Sequence, residues 1–442
     1  MDLLIAFLVF LAAMAASLIF DVSMLIALGI GLLCFFAVGL RRGFPAKALG
    51  SMALNGMKKS LIVLRVFVLI GIITAAWRAS GTIAFFVYYG IRLISPPLFL
   101  LVAFLLTSLI AFALGTSFGV VGTVGVILMT VARSGGVSPL LTAGAVLSGA
   151  YFGDRTAPTS SSANLVAVIT DTRLYDNVRR MLKTGALPFG LATLGYLFFS
   201  LHNPLQAVDE SILAALRGGF SLSPWVALPA VLMLLLPLLK IEVRHAMLAS
   251  SLVALFLAVT AQKLPVSDAL RACALGYVPT GDGLLSILAG GGLISMLKVA
   301  GIVLLSCAYS GIFEGTDLLA GVQSRLDTLA GRLGLGGATG VLSLAVCAVF
   351  CNQTIGVMMT QQLMAGAYRR RGAEGAELAM DLENTCIVIA GLVPWCIACA
   401  VPLQMLGVSV AALPCAFYIW LLPPVYLATK RWFFPSKTAP RS

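Results

Sequence analysis

The sequence predicts an all-α polytopic membrane protein made of two inverted-topology repeats, with broken helices and re-entrant hairpins. Three observations predict it. Hydrophobic residues make up 60% of the 442 and charged residues only 10%, with a mean hydropathy of +1.03, so no fold with a single water-facing surface suits the chain. Apolar runs of spanning length recur from end to end. Finally, the chain resembles itself at an offset of 236 residues: Gly56-Met57 falls on Gly292-Leu293, Gly115-Thr116-Ser117 on Cys351-Asn352-Gln353, Ser148-Gly149-Ala150 on Asn384-Thr385-Cys386, and Ala157-Pro158 on Val393-Pro394. Identity is low, and co-linearity carries the match. Two weakly similar halves in a membrane chain mark folds whose binding site lies between the repeats, near the bilayer midplane.

In chain order the runs cover roughly 3–19, 22–40, 60–77, 98–114, 116–133, 138–170 and 187–201, then 224–240, 245–262, 297–313, 336–350, 352–368, 378–408 and 412–430. Each half holds about seven, an odd number, which turns the second copy over. The domains expected are a first repeat over 1–205, an inter-repeat loop over 206–223, a second repeat over 224–432 and a cytoplasmic tail over 433–442. With the amino terminus inside, twenty Lys and Arg fall on the cytoplasmic side. Only Arg78, Arg92, Arg133, Arg217, Lys263 and Arg271 fall outside. The net charge of +12 therefore reflects orientation in an anionic membrane, with lipid as a partner, rather than nucleic-acid binding. Met1-Asp2 supplies no basic region for a cleaved signal, so the first run reads as a retained helix and both termini as cytoplasmic.

Residues 98–133 and 336–368 are each two apolar helices with an uncharged polar joint, at Ala113-Leu-Gly-Thr-Ser117 and Phe350-Cys-Asn-Gln-Thr354. Parity allows each to be a spanning pair or a re-entrant hairpin. Residues 82–94 and 318–334 read as linking arms along the surface. Next in each half comes a run interrupted by polar groups. Tyr151-Phe-Gly-Asp-Arg-Thr-Ala-Pro-Thr-Ser-Ser-Ser-Ala-Asn164 places Gly153 and Pro158 as helix breaks beside Asp154, Arg155, Ser160, Ser161, Ser162 and Asn164. The counterpart carries Glu383, Asn384 and Thr385, with its break at Pro394. Proline removes a backbone hydrogen bond, and irregular backbone at membrane depth is tolerated only against protein or a watery cavity. Asp154 is the sharpest candidate, because an ionisable group deep in a span is expensive; its bland role would be a salt bridge with Arg155. The serines and Asn164 have a bland role too, satisfying the freed backbone. Thr116, Ser117, Asn352 and Gln353, at the two hairpin joints, complete the candidate ion- or solute-binding set.

Other chemistry finds little support. Eight of nine cysteines lie in the second half, mostly in apolar runs where Cys is a packing residue, and Cys396-Ile-Ala-Cys399 has no zinc partner motif nearby. His202 and His245 form no metal pair, and neither a cofactor nor a resident metal is expected. An intramembrane protease would need a membrane-embedded Tyr-Asp, whereas Tyr175-Asp176 falls in a loop; no enzyme is expected. A channel would need a continuous polar pore rather than two separate breaks.

GTSFGVVGTVGV (115–126), LTAGAVLSGAYFGDRTAPTSSSANL (141–165), LENTCIVIAGLVPW (382–395) and ALPCAFYIW (412–420) resemble the NhaC family of sodium/proton antiporters. The resemblance implies an ion-coupled secondary active transporter of a bacterial inner membrane, alternating access around a mid-membrane site, in a dimer whose transport domain moves against a scaffold. The family pattern reads SDTTN where this chain has Ser160-Ser161-Ser162-Ala163-Asn164, GDQ at Cys351-Asn352-Gln353 and LEDSGT at Leu382-Glu383-Asn384-Thr385-Cys386-Ile387. Three family acids are thus neutral here, while Asp154 and Glu383 are kept. Fewer negative charges mean a different cation site. The alternative expectation is an ion-coupled carrier of a small organic solute, a carboxylate or amino acid, received by Arg155 and the broken-helix amino termini.

Overall fold

The computed structural model describes residues 2–434, apart from 21–22, 94–95, 206–209, 240, 280–284, 286–287, 317–322 and 374. The expected tail lies outside these, except for its first two residues. Among the described residues all regular structure is helical, save one bridge between Tyr277 and Gly290. Among the described residues seven helices are long and apolar enough to cross a membrane, or up to nine if each of two bent pairs is one span. The count is lower than the roughly fourteen apolar runs for a physical reason. The runs at 138–170 and 378–408 are each cut by a proline break, and others form helices too short to span alone.

The halves repeat element by element. Asp2–Ile19, Met24–Arg41 and Ala46–Ala79 recur as Leu228–Leu238, Val243–Thr260 and Leu293–Thr316. These six pack as one crossed group, centred on the contact of Ala46–Ala79 with Leu293–Thr316. Glycine allows that crossing. A Cβ on Gly56 would lie 2.0 Å from the carbonyl oxygen of Cys307, and one on Gly71 would lie 2.9 Å from that of Gly292. Positions 56 and 71 shifted by 236 give 292 and 307, so the two contacts exchange under the sequence offset. A two-fold relation between the halves has this signature. The second half also inserts Val266–Leu275 and a glycine run, Gly290-Gly291-Gly292, all at positive φ, which the repeat pattern did not anticipate.

The remaining helices form a second group. The first hairpin pairs Phe99–Leu114 with Ser117–Ser134. It packs on the broken helix Pro139–Thr156 and Ser161–Ile169, which the long helix Leu174–His202 backs. In the second half Gln323–Phe350 and Gln353–Arg370 pack on Gly375–Asp381 and its continuation to Leu406, backed by Phe417–Phe433. The linking arm Thr82–Leu93 bends by 64° from the helix before it and packs on Val126–Ser134 rather than lying free. Its counterpart, the described part of the second arm, is set off from the hairpin by Gly334 (φ 74°, ψ 170°). Phe7, Phe10, Phe35, Tyr309 and Phe313 of the crossed group meet Phe350 of the second hairpin in one aromatic cluster.

Candidate functional site

Each hairpin turns in the same way. Gly115 (φ 67°) and Cys351 (φ 52°) are left-handed, and each is followed by an extended residue that caps the returning helix. Thr116 Oγ1 accepts from the Gly119 amide at 3.3 Å, and Asn352 Oδ1 accepts from the Thr354 and Ile355 amides at 2.9 and 3.3 Å. The tips stop against the breaks. A Cβ on Gly115 would lie 2.3 Å from Thr159 Oγ1, and the Cys351 carbonyl accepts from the Ile397 amide at 2.9 Å. Each hairpin tip therefore packs directly on the helix break of its own half.

In the first half the helix ends at Thr156, Pro158 occupies the turn, and Ser160 caps the restart by accepting from the amides of Ser162 and Ala163. Asn164 Nδ2 donates to the carbonyls of Pro158 and Ser160, and Ser162 Oγ donates to that of Asp154. These side chains satisfy the backbone that the break frees. Gly153 lies inside the helix, not at the break. Its lack of a side chain admits the hairpin, since a Cβ there would come within 2.2 Å of the Ala111 carbonyl carbon. Gly153 is a close-approach glycine, and Pro158 alone marks the interruption.

Asp154 is 6% exposed, and its carboxylate accepts from Ser117 Oγ and Ser160 Oγ, both at a long 3.4 Å. Ser117 opens one helix and Ser160 caps another, so two positive dipole ends face this acid. Arg155 turns the other way. Among the described residues it forms no ion pair with Asp154. Fully buried, its guanidinium donates to Asn384 Oδ1 and to the Met181 carbonyl at 2.7 Å, leaving Nε unpartnered. Gly185 makes room, because a Cβ there would sit 2.3 Å from Arg155 Nη2. Arg155 thus ties the first broken helix to the second, and Asn384 also exchanges hydrogen bonds with Thr184.

The second broken helix opens into a wide π turn over Leu382–Cys386 before the non-helical stretch around Pro394. Glu383, Asn384 and Thr385 all lie on that turn, fully buried. Thr385 bonds back to the Asp381 carbonyl at 2.5 Å, and Gln353 Nε2 donates to the Ile387 carbonyl at 2.8 Å. Glu383 is different. Neither carboxylate oxygen has a hydrogen-bond partner, although the charges of Arg155 and Asp154 both act on it. A cavity of about 260 Å³ opens between the halves, lined by Ser161, Ser162, Leu165, Gln353, Thr354, Val357 and Ile387. The structure therefore gathers the candidates into three places: Asp154 with Ser117 and Ser160, Arg155 with Asn384, and the cavity with Ser161, Ser162 and Gln353. Thr116, Asn352, Asn164 and Thr385 serve the backbone around them.

The model of the Na+/H+ antiporter family matches residues 3–163 and 149–428, nearly the whole chain. The chain belongs to the Na+/H+ antiporter family. It is 28% identical over 402 residues to the Na(+)/H(+) antiporter NhaC of Bacillus subtilis (strain 168), covering 88% of each chain. It is 26% identical over 405 residues to the Malate-2H(+)/Na(+)-lactate antiporter of the same organism, covering 89% of this chain and 86% of that one. It is also 26% identical over 388 residues to the Arginine/ornithine antiporter ArcD of Halobacterium salinarum (strain ATCC 700922 / JCM 11081 / NRC-1), covering 84% of this chain and 78% of that one.

One buried cluster has no signal in the sequence. Asp381 is fully buried and accepts from Tyr368 Oη, from Tyr426 Oη at 2.7 Å and from Lys430 Nζ, which also pairs with Glu377 at 2.7 Å. Asp381 and Lys430 are 49 residues apart, so no local spacing signals the pair.

Proposed function

We propose that the protein is an ion-coupled antiporter of the Na+/H+ type in which Asp154 and Glu383 are the coupling acids. The observation that carries this reading is Glu383: a fully buried carboxylate with both oxygens unpartnered, at the junction of two broken helices. An ionised carboxylate that is buried without a hydrogen-bond donor is destabilised by several kcal/mol, even with the Arg155 charge nearby. A proton or a cation must neutralise it, and a group that requires a mobile counter-charge is what coupling needs. Asp154 complements it, because its long bonds to two serines can be exchanged for bonds to an ion without breaking an ion pair.

The division of the helices supports a mechanical reading. The crossed group, at 1–79 and 224–316, acts as the scaffold of two inverted repeats covering 1–205 and 224–432. The broken-helix group carries the site and moves against it. The protein acts as a multi-pass protein of a bacterial inner membrane with both termini cytoplasmic, as a homodimer surrounded by lipid. The test is sodium- or pH-gradient-driven exchange in proteoliposomes. Glu383→Gln keeps the shape and removes the charge; it is expected to abolish exchange at normal amounts of folded protein. Exchange that survives with its ion dependence intact refutes the assignment.

A second reading is favoured by the cavity. Its lining contains hydroxyls and an amide but no acid. Two helix amino termini meet there, those of Ser161–Ile169 and Gln353–Arg370. Such a surface suits a small organic solute carrying a carboxylate, coupled to the same two acids. The names of the malate/lactate and arginine/ornithine relatives fit it as well. Arg155 is not the receiver in this reading, since it is occupied by Asn384 and Met181. Competition by unlabelled carboxylates against sodium-driven uptake separates the two readings.

A further inference from the structure

Two residues before Glu383, on the same helix, another acid is buried under opposite conditions. Asp381 has three donors, which come from two elements: Tyr368 from the second hairpin, Tyr426 and Lys430 from the closing helix. Thr339 Oγ1 lies 2.8 Å from Tyr368 Oη, and the Lys430 ammonium lies 5.8 Å from the Tyr368 ring centroid. Gly336 faces the pair. A Cβ there would stand 3.1 Å from both Asp381 Oδ1 and Lys430 Nζ, so a methyl group would have to push them aside. Lys430 and Glu377 are only 13% and 19% exposed, so the network is largely screened from solvent.

The position of this network matters more than its strength. Asp381 is the last α-helical residue before the π turn that carries Glu383 and Asn384, and its carbonyl accepts the Thr385 hydroxyl that closes the turn. The far end of the turn is held by Gln353 on the Ile387 carbonyl. A π turn puts one extra residue into the helix and rotates the side chains after it, so whatever fixes its first residue fixes where Glu383 points. The charged and titratable groups acting on Glu383 are Arg155, Asp154 and the Cys386 thiol; those around Asp381 are Lys430, Glu377, Tyr368 and Tyr426.

We propose that Asp381 and Lys430 are positioning residues for ion coupling: their ion pair anchors the π turn to the closing helix and the second hairpin, and so sets the surroundings of Glu383. The proposal rests on Glu383 being a coupling acid. It is tested on the full-length protein in proteoliposomes, by the pH dependence of gradient-driven exchange in Asp381→Asn, Lys430→Met and Gly336→Ala. The last variant displaces the pair without removing a charge. The expected result is a shift of the half-maximal pH by about half a unit or more in all three, since each loosens the π turn and moves Glu383 relative to Arg155 and Asp154. Lys430→Arg, which keeps the ion pair, is expected to restore most of the wild-type profile. Unchanged profiles, with activity falling only in step with the amount of folded protein, overturn the proposal and leave a merely structural network. Glu383→Gln in parallel keeps the two ideas apart. If that variant still couples, the coupling assignment fails; if it is inactive while the other three keep the wild-type profile, only the positioning role fails.

Discussion

The carboxylate of Asp154 lies between two helix amino termini and accepts long bonds from Ser117 and Ser160, whereas that of Glu383 lies on a π turn with neither oxygen partnered. Under the 236-residue offset Asp154 corresponds to Ala390 and Glu383 to Leu147, so neither acid is a copy of the other. The hairpins, their left-handed tips and their breaks are duplicated, while the ionisable groups are not. The backbone frame is duplicated, whereas the acids within it sit in unequal surroundings, one facing two helix amino termini and the other with neither oxygen partnered.

The largest expected effect that tests this inequality is at Asp154. Asp154→Asn should lower gradient-driven exchange by about a hundredfold or more, because the charge facing the two helix ends is lost while the serine contacts have an amide substitute. Undiminished, still pH-dependent uptake by that variant would exclude Asp154 as a coupling group. A smaller effect separates the tips. Gly115→Ala places a Cβ 2.3 Å from Thr159 Oγ1 at a φ of 67°, and should reduce stability in detergent by about 2–3 kcal/mol. Cys351 already carries a side chain at the equivalent tip, so Cys351→Ala loses only the contacts of its thiol with Tyr309 Oη and the Ala348 and Val349 carbonyls, and should change stability by about 1 kcal/mol. Thermal unfolding of the two variants side by side checks the ranking, and equal losses would mean that the tips are not differently packed.

The smallest effect concerns the neutral positions. Asn384→Asp should strengthen the link to Arg155 and leave apparent sodium affinity nearly unchanged, because the new charge is taken by the guanidinium. Ser161→Asp lines the cavity instead, and should improve sodium affinity by roughly threefold to tenfold through an added anionic ligand. Sodium dependence of exchange in each variant measures the difference, and a gain at Asn384 equal to that at Ser161 would contradict the role given to Arg155.

Much of this was legible in the sequence because it is written in local pattern. Pro158 and Pro394 interrupt apolar runs, and the offset pairs the two tips and the two breaks. What was hidden depends on contacts across long separations. Gly153 reads as a helix breaker, yet it is a packing glycine because the hairpin backbone lies against it. Arg155 reads as an anion receiver beside Asp154, but successive helical side chains diverge, and its partners are Met181 and Asn384. Asn352 reads as a site residue, whereas its side chain is used by the helix it starts. The Asp381 and Lys430 pair has no sequence signature at all, since its members belong to helices that meet only in the folded chain.

Whether Glu383 requires a mobile counter-charge is decided by proton counting. Sodium is titrated into purified protein in weakly buffered detergent solution, and the protons released per protein are measured for the wild type and for Glu383→Gln. The wild type is expected to release protons, and the variant about one proton fewer, as a titratable group lost from the exchange requires. Equal release by both proteins would contradict that requirement.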